Sequence, residues 1–405
     1  MTRARSPFVN GIWRPLLVAA VLAFSGIALS GCAAPGSRQP ITRAPEDKPP
    51  PPMTSTGPIL PQRPVDGKFK VALLLPLTGN NADVGKAMRE AAEMALFDSG
   101  RQDLQLVPID TGDTAEGAVA AAQAAVAQNV QLIFGPLYGS STTAIAPVAR
   151  SAGIPVFSFS NDPGVAGNGV YIMGFTVHPQ VVRVTEYAIE KGLTRLAVLA
   201  PNTNYGQNVA QIVQEVAQAR GAQVVAVEFF DAAATDVTPA VTNFAAAARN
   251  AQAIIVPIGG ARLSAVVPLL AYRDLDPRKV KYLGTGLWDV PNIWRESALI
   301  GAWYAAPAPE ARADFERRYN ESYQRRPLRL ATLAYDAVAL SAALAKAGDF
   351  SSPALTNPNG FTGVDGLFRF LPNGQIERGL AVIEIGRTDV RTIAPAPNSF
   401  QRPSN

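Results

Sequence analysis

Short apolar runs and amphipathic segments alternate along this chain, and the alternation occurs twice. The apolar runs are long enough for buried strands, at residues 70–76, 104–109, 131–135 and 154–159, and again at 195–200, 223–229, 253–258 and 280–284. Helical spacing separates them, at residues 85–98, 115–128 and 140–150, and at 206–219, 237–249 and 262–273. Strands that alternate with helices form parallel sheets through right-handed crossovers. The sequence therefore predicts an α/β protein with two doubly wound parallel sheets.

The pattern changes toward the C-terminal end. Two predicted helices, 311–323 and 331–347, are followed by apolar strand-like segments at 361–370 and 380–385. Between these segments stands Pro372-Asn373-Gly374, a turn that favours a β-hairpin. We expect an antiparallel hairpin added to one of the parallel sheets.

The composition excludes several classes of site. One Cys and one His, His178, exclude a disulfide framework, a cysteine-based zinc site and a multi-histidine metal site. Of the 36 basic and 32 acidic residues, seven basic and three acidic residues precede residue 68, which leaves 29 of each in the remainder. A body without net charge gives no support to nucleic-acid binding.

The N-terminal segment has the pattern of a secretory signal peptide. Three arginines precede a fourteen-residue apolar run, 16–29, which is shorter than the ~20 residues a spanning helix needs. The run ends in Leu29-Ser30-Gly31-Cys32, which resembles the lipobox of bacterial lipoproteins, and Cys32 is the only cysteine. The resemblance predicts a signal peptide at 1–31 and a lipid on Cys32. Ala33, rather than Asp, next to that cysteine favours anchoring of a periplasmic protein to the outer membrane.

Residues 32–67 are predicted to form an extended tether. Ten of residues 33–67 are proline, and four of them are consecutive at 49–52. Such a segment has little apolar surface to bury and favours polyproline II conformation. A spacer and a recognition site for the proline run are both open interpretations.

Polar residues at the carboxyl ends of the predicted strands are the candidates for ligand binding. Parallel sheets bind ligands at this edge, near helix N-termini. The candidates are Ser140, Ser141, Thr142, Ser160, Asn161, Tyr205 and Asp289. Ordinary N-capping by Ser140 or Ser141 is the alternative explanation for the hydroxyls.

Several segments resemble the type I periplasmic binding proteins. They are "VALLLPLTG" from residue 71, "IFGPLYGSST" from 133, "AGIPVFSFSND" from 152, "NYGQ" from 204 and the closing "FTGVDGLFRFLPNG". Within that superfamily, "MALFD" at 94–98 and "VAGNGVYIMGFTVHPQ" at 165–180 resemble the penicillin-binding protein activators, which are lipoproteins related to branched-chain amino-acid receptors.

The resemblance implies a two-lobed type I periplasmic-binding fold over residues 68–394, followed by a tail, 395–405. The first lobe should comprise about 68–177 and 303–347, and the second about 178–302 and 348–394. Amino-acid receptors hold a carboxylate with hydroxyls and backbone N–H groups of one lobe and an ammonium with an acid of the other. Asp289 is the acid that the corresponding turn offers here.

The resemblance also implies a function without catalysis. We expect an outer-membrane lipoprotein that binds and activates a penicillin-binding peptidoglycan synthase. A substrate-binding lipoprotein of an ABC transporter, for amino acids or a related small polar ligand, is the alternative. His178 lies between the two α/β units, where the chain should cross from one lobe to the other, and is interpreted as a residue of the hinge or of a helix start. No nucleophile motif accompanies it. No catalytic residue, metal ligand or cofactor is expected.

Basic residues between 312 and 329 form a possible partner surface. Acidic residues accompany the earlier arginines of this stretch, as on a solvated helix face. No acid intervenes between Arg325 and Arg329, so Arg325, Arg326 and Arg329 are the candidates for contact with a synthase.

Overall fold

The computed structural model describes residues 67–400. The predicted signal peptide, Cys32 and the predicted tether up to residue 66 lie outside the described residues, as do the last five residues of the predicted tail. Among the helices at 67–400, none combines the length and the apolar composition that a membrane crossing requires.

Fifteen strands belong to this described part. Most coincide with the apolar runs of the sequence, within one to three residues. They are β1 Phe69–Leu75, β2 Leu104–Asp110, β3 Leu132–Phe134, β4 Val156–Ser158, β5 Val170–Ile172, β6 Arg195–Pro201, β7 Gln223–Phe230, β8 Ala253–Ile255, β9 Lys281–Gly284, β10 Trp303–Ala306, β11 Phe361–Gly363, β12 Gly366–Phe370, β13 Ile376–Arg378, β14 Ala381–Ile385 and β15 Val390–Ala394.

The helices occupy the amphipathic segments between these strands. Two of them, α8 and α11, are single turns. The helices are α1 Ala82–Ser99, α2 Ala115–Ala127, α3 Gly139–Ser151, α4 Val177–Glu190, α5 Asn204–Ala219, α6 Thr238–Ala247, α7 Gly260–Tyr272, α8 Pro291–Trp294, α9 Pro309–Tyr323, α10 Ala331–Ala347 and α11 Ser352–Leu355.

The first lobe is built on a five-stranded, all-parallel sheet in the order β2-β1-β3-β4-β5. Its interior strand β1 is a continuous apolar run because both of its faces are covered. One face packs against α1, α10 and the small sheet β11-β12-β13, and the other packs against α2 and α3. Helix α9 lies on α1 through Phe315 and Tyr319.

The second lobe is built on a seven-stranded sheet in the order β15-β14-β10-β9-β8-β6-β7. Strands β6 to β10 are parallel to one another, and β14 and β15 extend the sheet as an antiparallel edge. Helices α4 and α5 cover one face, and α6 and α7 cover the other. The predicted α/β fold with two parallel sheets is therefore confirmed.

The chain changes lobe at three places, and two of them differ from the sequence prediction. The crossings lie at residues 173–176, 307–308 and 379–380, between β5 and α4, β10 and α9, and β13 and β14. The assignment of 303–347 to the first lobe is thus wrong for β10, which pairs with β9 and β14 of the second sheet. The assignment of 348–394 to the second lobe is wrong for β11–β13, which pack on the first.

The predicted hairpin has different partners from those expected. The Asn-Gly turn joins β12 to β13, with Phe370 opposite Ile376, and β14 pairs instead with β10 and β15. Gly374 of this turn has φ +81° and its carbonyl oxygen accepts a hydrogen bond from Ile172 N at 2.8 Å. This contact with β5 holds the small sheet on the first lobe.

Both lobes begin with the same close approach between a strand and a helix. A Cβ on Gly85 would lie 2.0 Å from the Pro76 carbonyl oxygen, and a Cβ on Gly206 would lie 2.0 Å from that of Pro201. In each lobe the first turn of the helix that follows the first strand, α1 after β1 and α5 after β6, therefore packs directly against the end of that strand, which only glycine permits. These two turns open toward the space between the lobes.

Candidate ligand-binding cleft

A cavity of about 500 Å³ lies between the lobes, at the carboxyl ends of the strands. Turns after β3 and β4 of the first lobe and after β6 and β9 of the second contribute to its wall. All three crossings form its floor, through Phe175, Pro307 and Leu380 among others. This is the position at which doubly wound sheets bind ligands.

The wall of the cleft is mainly apolar. The apolar side chains come from both lobes: Val84, Leu137, Phe159, Phe175, Val177, Pro179, Leu287, Val290, Ala306, Pro307, Leu330 and Leu380. Polar groups are fewer: Asn81, Tyr138, Asn161, Thr176, Gln180, Tyr205, Asp289, Arg329 and Arg378. An apolar cavity with a few polar groups suits a small organic ligand with one or two polar ends.

Three of the predicted ligand residues line the cleft. Asn161 is exposed on its wall, and the Tyr205 hydroxyl is paired with Thr285 Oγ1 at 2.9 Å. Asp289 is the third, on the opposite lobe from Asn161. All three follow the carboxyl end of a strand, as predicted, and their role in ligand binding stays a prediction.

The predicted hydroxyls of the first lobe do not line the cleft. Ser140 is exposed elsewhere, and Ser141 and Thr142 are buried. Thr142 Oγ1 donates to the Tyr138 carbonyl at 2.9 Å and lies 2.6 Å from the hydroxyl of Ser158. The Ser160 hydroxyl accepts a hydrogen bond from Asp162 N at 3.0 Å. These hydroxyls hold their own turns together, and Leu137 and Tyr138 form the wall instead.

Asp289 is the centre of a buried ion cluster that joins the lobes. Its Oδ1 accepts from Arg312 Nη2 at 2.9 Å and from the Tyr304 hydroxyl at 3.3 Å. Its Oδ2 accepts from Arg329 Nε at 2.9 Å. Burial and the Asp289 carboxylate raise the pKa of Tyr304. Both oxygens of the carboxylate are already paired with arginines, so Asp289 is poorly suited to bind a ligand ammonium.

Arg329 is part of this cluster and is not on the partner surface predicted for it. Only 19% of its side chain is exposed, and its Nη2 donates to Asp365 Oδ1 at 2.9 Å. Its guanidinium lies 4.4 Å from the ring centroid of Phe175. The partners are distant in sequence, at 289 and 365, and the local absence of acids between 325 and 329 was therefore misleading.

The remaining predicted surface is reduced to one exposed arginine. Arg326 is exposed, whereas Arg325 Nη2 donates to the buried carboxylate of Glu90 at 2.5 Å. The earlier arginines of α9 are paired along the helix, Arg317 with Glu321 and Arg318 with Asp314. These pairs support the interpretation of that helix face as a surface exposed to solvent. A charge reversal at 325 and 329 would disrupt ion pairs inside the protein.

Arg378, which the sequence reasoning missed, lies at the floor of the cleft. It is buried, and its Nη2 donates to the Met173 carbonyl at 2.6 Å. Its Nε and Nη1 have no hydrogen-bond partner within the part of the chain that the structure describes. Its guanidinium lies 5.0 Å from the Phe175 ring, so this ring is placed between Arg378 and Arg329. One arginine in "QIERGL" carries no local signal of such a role.

Two buried carboxylates lie behind these arginines. Burial, together with the nearby charge of Asp365, raises the pKa of Asp336 to about 7. Burial also acts to raise the pKa of Asp365, but the cations of Arg329 and Arg378 outweigh it and the pKa is lowered. Asp336 Oδ1 accepts from Val364 N at 2.7 Å, and its Oδ2 has no partner among the described residues.

The raised pKa of Asp336 predicts a pH-dependent stability. Because this pKa is about 7 in the folded protein against an ordinary 3.8, ionisation of Asp336 should destabilise the fold as pH rises from about 4 to about 7. Asp336→Asn keeps an acceptor for Val364 N and removes the ionisation. As pH rises across that interval, the free energy of unfolding of this variant, measured in urea, should therefore increase relative to that of the wild type.

The exposed Asp349 provides the control, because its hydrogen bond with Ser351 lowers its pKa. Asp349→Asn should change the pH dependence only below about 4. Parallel stability curves for wild type and Asp336→Asn between pH 4 and 7 would contradict the assignment.

No group of three or more His, Cys, Asp or Glu side chains between 67 and 400 is arranged to hold a metal ion. His178 is exposed in the first turn of α4, next to the first crossing. This position agrees with its interpretation as a residue near the hinge.

Comparison with known proteins agrees with the architecture. A protein of Rickettsia prowazekii, described as uncharacterized, is 25% identical over 234 residues, which are 58% of this chain and 60% of that protein. A putative branched-chain amino acid ABC transporter protein from Rhodospirillum rubrum superposes with a TM-score of 0.72 at 22% identity, over 80% of this chain and all of the other. A solute-binding protein from Rhodopseudomonas palustris, solved with 3,4-dihydroxybenzoic acid, gives 0.63 at 20% identity, over 82% and 97%.

The family match covers the same region as the two lobes. The family model described as "Periplasmic binding protein" matches residues 68–389, which include the whole first sheet, all strands of the second sheet except β15, and all three crossings. The two-lobed α/β architecture and the cleft at the strand ends are what this match implies. The chain belongs to the periplasmic binding protein family.

Proposed function

We propose that this protein binds a small, mainly apolar organic molecule between its lobes. The observation that carries the proposal is the cavity of about 500 Å³, whose wall is apolar and is contributed by both lobes. This volume lies within the ~300–1,000 Å³ typical of ligand sites. Delivery of the bound molecule to an ABC transporter is the function that the solved relatives suggest for such a cleft.

A free amino acid fits this cleft less well than a ligand without an ammonium group. Asp289 is the one acid on the wall of the cleft in the described residues, and Arg312 and Arg329 already neutralise it. A buried ammonium without an acidic partner is costly. The hydroxyls expected to hold the carboxylate also lie outside the cleft. The structure thus favours the binding of a ligand other than the amino acids expected from the alternative function.

Blocking the cleft tests the proposal. Leu287 lies on its wall and is 46% exposed, so Leu287→Trp should fill part of it without disturbing the core. Ile300, also of the second lobe and 41% exposed, does not line the cleft, and Ile300→Trp is the matched control. Calorimetry with benzoate, 3,4-dihydroxybenzoate, leucine and phenylalanine supplies the measurement.

We expect at least one of these compounds to bind to the wild type and to Ile300→Trp with equal affinity, and about tenfold or more weakly to Leu287→Trp. Equal binding to all three proteins would place the ligand outside the cleft. Absence of binding by every compound would contradict the proposed function.

Activation of a penicillin-binding peptidoglycan synthase is the second candidate function. Its support is the resemblance of residues 94–98 and 165–180, together with the position of Phe97 in the first of these segments. Phe97 lies in the last turn of α1 and is 86% exposed, which is unusual for a phenylalanine. An exposed aromatic ring is a plausible anchor for a protein partner, and it replaces the arginine surface as the candidate contact.

A binding assay with the purified synthase separates the two functions. Phe97→Ser should weaken synthase binding, whereas Tyr272→Ser, which removes an equally exposed ring from the second lobe, should not. Unchanged binding by Phe97→Ser would remove this residue from the synthase hypothesis. A synthase that does not bind to the wild type would reject the activator function.

We also propose that Cys32 anchors the protein to the outer membrane through a lipid. The lipobox-like Leu29-Ser30-Gly31-Cys32 supports this proposal, and Cys32→Ser should abolish lipid attachment. Metabolic labelling with palmitate in cells should mark the wild type and not the variant. Equal labelling of both proteins would reject the anchor.

A further inference from the structure

We propose that the ligand of the cleft is an uncharged molecule whose polar end, an amide or a hydroxyl group, is held by neutral side chains such as Asn161. This inference rests on the proposed function and names its ligand class. The charged side chains on the wall, within the described residues, are Asp289, Arg329 and Arg378. Each of them is balanced by other charges of the chain, so the polar groups that remain for a ligand are neutral.

The ion pair of Asp289 and Arg329 has no charge to spare for a ligand. The carboxylate of Asp289 is almost completely buried, and each of its oxygens accepts from an arginine, Arg312 or Arg329. Arg329 is shared in turn with a second carboxylate, because its Nη1 and Nη2 donate to Asp365 at 3.3 and 2.9 Å. A ligand carboxylate would have to compete with both aspartates for this one cation.

Arg378 is closed to the cleft for a different reason. Its unpaired Nε and Nη1 have almost no accessible surface, so a molecule in the cleft cannot reach them, and its Nη2 donates to the Met173 carbonyl. The nearby carboxylates of Asp365 and Asp336 balance its charge inside the protein. Arg378 therefore offers a ligand neither a free donor nor an uncompensated charge.

The polar groups that are open to the cavity are amides and hydroxyls. Asn161 of the first lobe is exposed, which leaves its amide able to donate and to accept a hydrogen bond. On the second lobe, the Tyr205 hydroxyl is paired with Thr285 Oγ1 and still has a lone pair with which to accept. Burial raises the pKa of Tyr205 and so keeps it neutral. An uncharged polar group can use these partners, whereas a buried charge without an opposite charge is costly.

Pairs of compounds that share one body and differ in charge test the ligand class on the wild type. Benzoate and benzamide form the first pair, 3,4-dihydroxybenzoate and 3,4-dihydroxybenzamide the second, and 4-methylpentanoate and 4-methylpentanamide the third. Because each acid must bury a charge that nothing on the wall compensates, each amide should bind about tenfold or more tightly than its acid in calorimetry.

A new charge at position 161 tests whether Asn161 contacts the polar end of the ligand. Asn161→Lys places a cation on the wall and should reverse the preference, so that benzoate binds more tightly than benzamide. Ser140→Lys is the matched control, because Ser140 is also an exposed residue of the first lobe but is outside the cleft wall. This control should keep the preference of the wild type for the amide.

The outcomes distinguish this inference from the proposed function. Acids that bind to the wild type as tightly as their amides, and more weakly to Leu287→Trp, would overturn the inference and leave the cleft function standing. An Asn161→Lys variant that still prefers benzamide would overturn the contact with Asn161. Amides that bind equally to the wild type and to Leu287→Trp would reject the cleft as the binding site. If neither the acids nor the amides bind, both the proposed function and the inference fail.

Discussion

Replacement of Asp289 by asparagine should lower the free energy of unfolding by about 3–5 kcal/mol, because it breaks a buried ion pair and leaves the other charge uncompensated. The affected charge is Arg312, which is almost completely buried and has Asp289 as its buried acidic partner. An asparagine amide would also direct N–H donors toward one of the two arginines. Arg329 is less affected, since it keeps Asp365. Urea unfolding, followed by circular dichroism, is the measurement.

The same guanidinium provides the control for this prediction. Glu316 pairs with Arg312 Nε at 2.8 Å, but its side chain is half exposed. Solvent screens this second pair, so Glu316→Gln should cost below about 1 kcal/mol. A similar loss in both variants would show that burial does not determine the contribution of these pairs. A loss below about 1 kcal/mol in Asp289→Asn would contradict the cluster as a stabilising contact between the lobes.

The sequence predicted the parallel sheets well because local apolar patterns determine them. The run at 70–76 is buried on both faces in β1, and the helix predicted at 331–347 is α10. The topology after residue 302 was less predictable. A long irregular segment separates β10 from β9, the last strand of the second predicted series. The place of β10 between β9 and β14 depends on pairing with a strand about 80 residues later in the chain. No local pattern specifies such a partner.

In the candidate site, too, the features that local sequence determines were predictable, and those that depend on distant partners were not. Strand ends indicated Asn161, Tyr205 and Asp289, because all parallel strands of a lobe end at one edge. The arginines were assigned wrongly or missed, since an ion pair depends on which distant acid the fold brings near. Arg329 meets acids 40 and 36 residues away, and Arg378 contacts a carbonyl 205 residues away. A charge considered only among its sequence neighbours cannot reveal these contacts.

Truncation of Trp288 should have an effect as large as that of Asp289→Asn. The indole is fully buried beneath the turn after β9, and its Nε1 donates to the Ile258 carbonyl at 2.8 Å. Gly284 leaves room for it, since a Cβ there would lie 2.1 Å from the ring. Trp288→Ala would create a cavity and leave the carbonyl without its donor, at a cost of about 3–5 kcal/mol. Tyr272→Ala, which truncates an exposed ring of the same lobe, should cost below about 1 kcal/mol.

The consequence for binding follows from the two neighbours of Trp288. Leu287 and Asp289 both line the cleft, and the buried indole between them fixes the direction in which each side chain leaves the turn. Trp288→Phe should preserve most of the packing but not the hydrogen bond to Ile258, so it separates stability from orientation. We expect this variant to fold and to bind the ligand of the cleft several-fold more weakly by calorimetry. Wild-type affinity in Trp288→Phe would show that packing alone positions the turn, and a stable Trp288→Ala would show that the turn does not depend on the indole.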